Sequence, residues 1–276
     1  MTDTQTHRSP GCRITHRFRY TYAGPVANVN QRLVVVPPPR VGAQRLRSAS
    51  VEVSLDHTMR WHLDGQGNTV AEIRVPRVAE SVEFVSTVEV EHDHSAHEPP
   101  LAPGAFNDPR WRQSTRLTTA TAAMEATARD LVAHAATIET AAAEIARFVH
   151  GALAYCHGAT DVDTTAAEAM RIGAGVCQDH AHLMLSMCRA VGVPARYVSG
   201  HLRGEGATHA WVDVLDPAPD GRRAIGFDPC NNRRPDDSYV TVAIGRDYRD
   251  VAPTSGTYEG PHAGWLTAAK TVEVLG

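Results

Sequence analysis

The sequence predicts an α+β protein in which a β-rich, sandwich-like domain precedes a core of helices packed on an antiparallel sheet. Three observations lead to this prediction. Apolar and polar residues alternate along the first third of the chain, an Ala-rich stretch with helical spacing follows, and further alternating segments close the chain. With 276 residues, 42% hydrophobic and 21% charged, the chain is long enough for two domains with their own cores.

Residues 12–95 are predicted to form the β-rich domain. The period-two alternation is carried by Ile14, His16, Phe18, Tyr20 and Tyr22, by Val51, Val53 and Leu55, and by Val88 and Val90. Proline is frequent in residues 96–113, which are therefore predicted to be a linker. Residues 114–276 are assigned to the second domain.

The second domain is predicted to begin with two helices, one within residues 114–135 and one that carries Ile145 and Val149 at core-facing spacing. Thr165-Ala166-Ala167-Glu168 is a capping-box sequence, so a short helix should start there and end at Gly173. The Gly-rich segment 173–176 then interrupts the helical pattern. Beyond it, apolar residues indicate a largely buried helix that begins at Cys177.

A cysteine at a helix N-terminus has the chemistry of a nucleophile. The unpaired backbone N–H groups and the positive end of the helix dipole favour an anion there, so the reactive thiolate becomes accessible near neutral pH. The same N–H groups can stabilise an oxyanion. We therefore predict that Cys177 is a nucleophile.

The strand that follows is predicted to position a base for this thiol. In HAWVDV the alternation places Ala210 and Val212 on one face and His209 and Trp211 on the other. A turn through residues 217–221 would then bring Asp228, at the end of the next strand, beside His209. A carboxylate there can orient the imidazole and stabilise the imidazolium, which in turn stabilises the thiolate.

Three sequence blocks carry these residues, and they occur in a fixed order: GVCQDHAH at residues 175–182, HAW at 209–211 and FDPCN at 227–231. The segment 137–232 resembles the catalytic core of the transglutaminase-like superfamily in its bacterial branch. That papain-like core carries GVC-x-D-x-AH, HAW and FDP-x-N. The segments ITHRFRYTYAGPV and QRLVVVPPPR also resemble the β-region that precedes such cores.

The resemblance implies a papain-like catalytic domain over residues 114–276, with Cys177, His209 and Asp228 as its triad. It implies cysteine-dependent acyl transfer on amide or peptide substrates through a thioester. We expect a peptidase or amidase, because no acidic calcium loop like those of animal transglutaminases is found. A transglutaminase or a peptide-ligating enzyme that uses an amine acceptor is the alternative, and a non-catalytic binding scaffold is a second.

Five further residues are expected to line the site: Tyr155, Gln178, His180, Trp211 and Asp247. Tyr155 is either an oxyanion donor or a core aromatic. His180 stands where the family usually has an aromatic residue and either lines the site or is a substituted wall residue. Asp247 either borders the cleft, together with Arg246 and Tyr248, or belongs to a structural ion pair. Cys230 stands where the family usually has threonine.

We expect neither a metal nor a cofactor. Cys177 and Cys188 would be about 16 Å apart along a helix, whereas two ligands of one zinc lie within about 4 Å of each other. The His-rich run at residues 91–98 precedes two prolines and is interpreted as a solvated linker.

Partners and location follow from charge and cysteine content. The net charge of −4 with scattered basic residues disfavours nucleic acid, and no apolar stretch is long enough for a signal peptide or membrane span. Five cysteines, an odd number, fit a reducing compartment. A cytoplasmic location is therefore expected, and the sequence leaves the oligomeric state open.

Overall fold

The computed structural model describes residues 8–95, 101, 103–217 and 223–275. Most of the predicted linker up to residue 102, and most of the predicted turn at 217–221, lie outside these ranges.

The strands are β1 (Arg8–Tyr22), β2 (Val26–Val36), β3 (Arg40–Val41), β4 (Gln44–Val53), β5 (Thr58–Leu63), β6 (Thr69–Val78), β7 (Ser81–Asp93), β8 (Ala154–Tyr155), β9 (Ala174–Gly175), β10 (Ala195–Leu202), β11 (His209–Asp216), β12 (Arg223–Phe227), β13 (Tyr239–Gly245), β14 (Thr254–Glu259) and β15 (Gly264–Val274). The helices are α1 (Pro103–Asn107), α2 (Ala122–Val132), α3 (Ile138–Ala152), α4 (Ala166–Ile172), α5 (Cys177–Ala190) and α6 (Tyr248–Val251).

Two antiparallel sheets face each other across a shared apolar core. One has the strand order β15-β1-β7-β4-β3 and the other β14-β2-β6-β5. Inward side chains from both sheets, among them Phe18, Leu33, Ile73 and Phe84, pack in one buried cluster. The predicted β-sandwich is therefore confirmed. We call these nine strands the β-region.

The last two strands lie in the β-region, although the sequence-based division placed residues 114–276 together in the second domain. β14 pairs with β2, and β15 pairs with β1 along its whole length. The alternation of a strand predicts that it will pair but not with which partner, because either free sheet edge offers the same backbone groups.

The predicted linker is also packed where the structure describes it. Phe106 of α1 and Trp111, in a 3₁₀ turn (Pro109–Trp111), are buried against Leu215 of β11. Burial of two aromatic side chains removes a large apolar area from water, so this segment belongs to the packed structure of the second domain rather than to a spacer.

The remaining elements, α1 to α6 with β8 to β13, form what we call the core. Its main sheet is antiparallel with the order β12-β11-β10-β13. Helices α2 to α5 cover one face, where Ile145, Leu183, Met187 and Val212 share a buried cluster. Trp211 points to the opposite face, as the alternation of HAWVDV predicts. The α+β fold class is confirmed.

A capping box positions the turn that leads to Cys177. Thr165 Oγ1 accepts from the Glu168 backbone N–H, and the Glu168 carboxylate accepts from the Thr165 N–H. Helix α4 ends at Gly173, whose φ of 73° lies in the left-handed region that favours glycine. The chain then runs through β9, which pairs with β8, directly into α5. The capping box and the helix end predicted from the sequence are both confirmed.

Two buried amides join the β-region to the core. Gln44 Nε2 donates to the Thr241 carbonyl at 2.8 Å, and its Oε1 accepts from the Thr241 N–H at 2.8 Å. Asn68 makes the same pair of bonds, each 2.8 Å long, with Ile244. Both partners lie on β13, an edge strand, so the two amides satisfy backbone groups that a neighbouring strand would otherwise satisfy.

Among the described residues, no helix has the length and apolar content needed to cross a bilayer.

Candidate active site

Cys177 is the first residue of α5, as predicted. The N–H groups of Asp179 and His180 already donate to the Val176 carbonyl, whereas those of Cys177 and Gln178 precede this hydrogen-bond ladder. The thiol is partly buried, with Sγ 4.0 Å from the Thr208 carbonyl oxygen. A partly accessible sulfur at this position can attack a carbonyl carbon. The unpaired N–H groups beside it can stabilise the oxyanion that results.

The carboxylate of Asp179 holds this turn together. Its Oδ2 accepts from the Val176 N–H at 2.8 Å and from the Thr160 hydroxyl at 2.7 Å. A Cβ at Gly175 would lie 2.6 Å from the Asp179 side chain, so glycine is needed for this close approach. The block GVCQDHAH therefore contains a residue, Asp179, that stabilises the turn leading into Cys177.

His209 and Asp228 meet as the sequence predicts. His209 Nε2 donates to Asp228 Oδ2 at 2.7 Å, and both side chains are buried. His209 also lies near the Cys177 thiol, whose negative charge acts to raise the pKa of this histidine. Because Nε2 is engaged by the carboxylate, the nitrogen available to sulfur is Nδ1. The imidazole is thus bound to the carboxylate through Nε2 and lies near the thiol.

Asp228 is held by five hydrogen bonds. Its Oδ2 accepts from His209, from the Tyr239 hydroxyl at 2.6 Å and from Asn231 Nδ2 at 2.8 Å. Its Oδ1 accepts from the backbone N–H groups of Cys230 and Asn231. Burial acts to raise the pKa of Asp228, but the hydrogen bonds and the charge of His209 outweigh it and lower the pKa to about 2. The carboxylate is therefore ionised at neutral pH.

Burial and charged partners also oppose each other at His209, but there they shift the pKa upward. Burial acts to lower its pKa, but the hydrogen bonds and charges of Asp228 and Cys177 outweigh burial and raise the pKa to about 10. The site thus favours the imidazolium form of His209 at neutral pH. Glu205 adds a second carboxylate, with Oε2 3.3 Å from His209 Nδ1.

Two aromatic side chains hold the imidazole in its orientation. The Trp211 ring stacks near that of His209 with 6.3 Å between centroids, and the Tyr239 ring meets it edge-on at 5.8 Å. The Tyr239 hydroxyl donates to Asp228 and accepts from Arg233 Nε at 2.8 Å. Trp211 therefore packs beside the His209 ring.

The other predicted lining residues have different positions. Tyr155 is 56% exposed and lies near Cys177, with its hydroxyl 3.3 Å from His157 Nε2. Gln178 is buried and donates to the Val162 carbonyl. His180 is buried with its ring nitrogens 3.0 Å and 3.2 Å from the carbonyl oxygens of Val176 and Leu153. Tyr155 thus borders the thiol, whereas Gln178 and His180 tie α5 to neighbouring loops.

Asp247 caps α6 by accepting from the Arg249 N–H at 2.8 Å. The ion pair expected near it joins Arg246 to Asp250 at 2.8 Å instead. The charge of Asp247 acts on the buried guanidinium of Arg189, near the C-terminal end of α5. Asp247 therefore has structural contacts within the core: it caps α6, and its charge acts on Arg189.

Sequence reasoning gave no role to three residues that touch His209 or Asp228. Asn231 belongs to the FDP-x-N block and Tyr239 begins β13, but neither position indicates a contact with the carboxylate. Glu205 lies in the loop RGEGAT between β10 and β11. A loop residue has no periodic pattern from which its neighbours could be predicted.

The cysteines and histidines of α5 do not converge. Cys188 is fully buried near the far end of the helix from Cys177. His182 Nε2 accepts from the Tyr248 N–H at 3.1 Å, and burial lowers the pKa of this histidine to about 3. Within the described ranges, no group of three His, Cys, Asp or Glu residues is arranged to hold a metal ion. Residues 96–98 of the His-rich run lie outside these ranges.

Fold and site together define a class: a papain-like α+β protein whose thiol, at a helix N-terminus, faces a histidine and an aspartate on the adjoining sheet. Residues 125–229 match the family model of the transglutaminase-like superfamily, and residues 12–91 match that of the bacterial transglutaminase-like N-terminal region. The chain therefore belongs to the transglutaminase-like superfamily.

A solved structure from Cytophaga hutchinsonii, described as a candidate cysteine protease, is similar to the whole fold. The TM-score is 0.75 at 19% identity, over 98% of this chain and 92% of that one. Uncharacterised proteins from Mycobacterium leprae and Mycobacterium tuberculosis are each 38% identical to this chain over 125 residues. These matches cover 42% and 41% of this chain, and only 43% and 40% of the respective relatives.

Proposed function

We propose that this protein is a cysteine-dependent acyl-transfer enzyme that hydrolyses amide bonds of peptide substrates through a thioester. The observation that carries the proposal is the position of His209, with Nε2 on Asp228 at 2.7 Å and the ring near the Cys177 thiol at the start of α5. This arrangement supplies a nucleophile, a proton carrier and an orienting carboxylate in one place.

In the first half-reaction the Cys177 thiolate attacks the substrate carbonyl carbon. The tetrahedral oxyanion is stabilised by the N–H group of Cys177 at the positive end of α5. His209 donates its Nδ1 proton to the leaving amine as the C–N bond breaks. The products are the free amine and an acyl-thioester on Cys177, with His209 now neutral.

In the second half-reaction neutral His209 accepts a proton from water, and the resulting hydroxide attacks the thioester. The C–S bond breaks, the acid leaves and the thiolate–imidazolium pair is restored. Asp228 keeps its charge throughout and orients the imidazole. We propose the Tyr155 hydroxyl as the second oxyanion donor, since this exposed side chain borders the thiol.

Alkylation by iodoacetamide tests the nucleophile. We expect Cys177 to react fastest because His209 stabilises its thiolate, and Cys177→Ala should remove this fast phase without altering the circular dichroism spectrum. Cys156→Ala is the matched control, because Cys156 is the more exposed thiol but does not contact His209. Peptide mass mapping identifies the alkylated residue.

The fast phase should survive in Cys156→Ala. If wild type and Cys177→Ala were labelled at the same initial rate, Cys177 would not be the nucleophile. A non-catalytic scaffold would have no need of an activated thiol. His209→Ala should therefore shift the alkylation profile of Cys177 to higher pH, and an unchanged profile would favour the scaffold.

Amine transfer is the alternative outcome of the same thioester. Incubation of the enzyme with a peptide library, with and without a primary amine, separates the two reactions by product mass. We expect hydrolysed masses in both incubations. Amine-adduct masses would instead identify a transglutaminase or a peptide-ligating enzyme.

We also propose a cytoplasmic location. All five cysteines are free thiols, which is the form expected in a reducing compartment. Fractionation of the source cells, followed by detection of the protein with an antibody, would test this.

A further inference from the structure

A carboxylate outside the proposed triad contacts the nitrogen that performs proton transfer. Glu205 Oε2 lies 3.3 Å from His209 Nδ1, and the Glu205 side chain is 40% exposed. Glu205 therefore contacts His209 Nδ1 and is also open to solvent. Nothing in the proposed triad requires a second negative charge at this position.

Other groups around the thiol show that Glu205 belongs to the same cleft. Burial raises the pKa of both Tyr155 and Cys230, and the negative charges of Cys177 and Glu205 raise them further. Burial lowers the pKa of Lys270, and the charges of Glu205 and Cys177 oppose this. The surroundings of His209 thus carry the negative charges of Asp228 and Glu205 against the positive charges of His209 and Lys270.

The loop that carries Glu205 is held from the β-region. Lys270, on β15, donates from its ammonium group to the Ala207 carbonyl. Gly204 has a φ of 91°, which allows the chain to turn tightly just before Glu205. The contact of Lys270 with a backbone oxygen stabilises the loop. The Glu205 side chain nevertheless remains 40% exposed.

The mechanism identifies which part of a substrate meets Glu205. The leaving amine must approach His209 Nδ1 to receive its proton, so it enters beside Glu205. Once His209 has given up that proton, Glu205 loses the positive charge that it faced. A cation on the leaving group would replace that charge as it disappears, and an interaction that grows during the step accelerates it.

On the basis of the proposed function, we infer that Glu205 is a specificity-determining residue which favours peptides with a basic side chain immediately after the cleaved bond. Arginine and lysine can both reach a carboxylate beside the leaving nitrogen, and arginine can bind it through two parallel hydrogen bonds. An acidic side chain at the same place would face Glu205 and Asp228 and would be disfavoured.

The test uses three peptides that differ only in the residue after the cleaved bond: arginine, its neutral isostere citrulline, and glutamate. We expect kcat/KM for arginine to exceed that for citrulline by about fivefold, because a partly exposed ion pair contributes up to about 1 kcal/mol. In Glu205→Gln this ratio should fall to about one. Glu125→Gln, which removes an exposed charge on α2, is the matched control and should keep the wild-type ratio.

Glu205→Gln could instead slow arginine and citrulline peptides equally. Glu205 would then be a positioning residue for His209, and the inference would be wrong. Glu205→Arg sharpens the distinction, since a specificity residue of reversed charge should favour the glutamate peptide over the arginine peptide. Equal rates on those two peptides would contradict the inference.

A second measurement does not depend on peptide cleavage. Methanethiosulfonate reagents with an ammonium or a sulfonate group form a mixed disulfide with Cys177 as methanesulfinate leaves, and the ratio of their rates reports the charge beside the thiol. The ammonium-to-sulfonate ratio should fall about fivefold in Glu205→Gln and stay unchanged in Glu125→Gln. An unchanged ratio in Glu205→Gln would overturn the inference. Failure of every peptide to be cleaved, with this ratio still shifted, would instead contradict the proposed hydrolytic function.

Discussion

The β-region and the core are both built on antiparallel sheets, but they expose their charges differently. In the β-region Arg13 and Glu89 pair across neighbouring strands at 2.7 Å, with 42% and 27% of their side chains exposed. In the core His209 and Asp228 pair across neighbouring segments at the same 2.7 Å, with only 2% and 0% exposed. Equal distances therefore describe two interactions whose surroundings are quite different.

The difference in burial determines what each pair does. Water screens the Arg13–Glu89 pair, and exposed pairs of this kind contribute about 0–1 kcal/mol to stability. Removal of one partner from a buried pair leaves an uncompensated charge, which costs about 3–5 kcal/mol. The β-region thus uses charge to keep its outer sheet surfaces solvated, whereas the core uses a single buried pair to set the protonation state of its candidate site.

The largest expected effect concerns activity. Asp228→Asn should lower kcat/KM about 10²- to 10⁴-fold, because His209 loses the carboxylate that orients it and stabilises its charge. Glu89→Gln, the corresponding change in the β-region, should leave kcat/KM unaltered. Steady-state kinetics with a peptide that the wild type cleaves would measure both. A fall of less than tenfold in Asp228→Asn would show that His209 acts without its partner.

The next effect concerns stability and its dependence on pH. Asp228→Asn should lower the free energy of unfolding by about 3–5 kcal/mol near pH 5, and Glu89→Gln by less than about 1 kcal/mol. Urea unfolding of both variants over a range of pH would measure this contrast. A flat difference between wild type and Asp228→Asn across pH 2 to 10 would argue against the buried charge pair.

The pH window follows from the two pKa shifts. Asp228 has its pKa lowered from 3.8 to about 2, so its contribution is present above pH 3.8 and is lost as the pH falls toward 2. His209 has its pKa raised from 6.5 to about 10, so its contribution is complete below pH 6.5 and is lost as the pH rises toward 10. The stability gap should therefore be widest between about pH 4 and 6.5.

A smaller effect is expected where the two regions meet. Gln44→Leu should lower the free energy of unfolding by about 2–4 kcal/mol, because the Thr241 N–H and carbonyl would lose their partner in a buried interface. Gln113→Leu, at an exposed position, is the matched control and should change stability by less than about 0.5 kcal/mol. Differential scanning calorimetry would show a single unfolding transition in the wild type if the interface couples both regions. Equal stabilities of Gln44→Leu and wild type would show that water replaces the amide.

The smallest effect concerns the loop next to Glu205. Lys270→Met should raise the rate of amide hydrogen exchange in residues 203–208, because the Ala207 carbonyl loses its bond to the β-region. We expect kcat/KM to fall only about two- to fivefold, with the free energy of unfolding changed by less than about 1 kcal/mol. Hydrogen exchange read by mass spectrometry, with Arg19→Met on the exposed face of β1 as control, would measure this. Unchanged exchange in the loop would show that the β-region does not stabilise the loop beside the candidate site.

Much of the candidate site could be predicted from local sequence. The order of GVC, HAW and FDP, the Thr165 capping box and Gly173 place Cys177 at a helix N-terminus and His209 beside Asp228. The placement of Cys177 depends on residues only a few positions apart, whose backbone preferences act locally. The meeting of His209 and Asp228, 19 residues apart, depends on the pairing of two consecutive strands. The same local signals could not indicate that Gln178 and His180 point toward neighbouring loops, because the direction of a buried side chain depends on what packs around it.

What the sequence by itself determined was the identity of the candidate reacting groups and the elements that carry them: Cys177 on a helix, His209 and Asp228 at strand ends. Only the tertiary structure decided that β15 returns to β1 and so places Lys270 against the Ala207 carbonyl. It also decided that Tyr239 and Glu205 contact Asp228 and His209 from a strand and a loop. Strand pairing and loop packing bring together residues from opposite ends of the chain. Their free energy depends on which surfaces remain unpaired after the local elements have formed, and no local pattern encodes that choice.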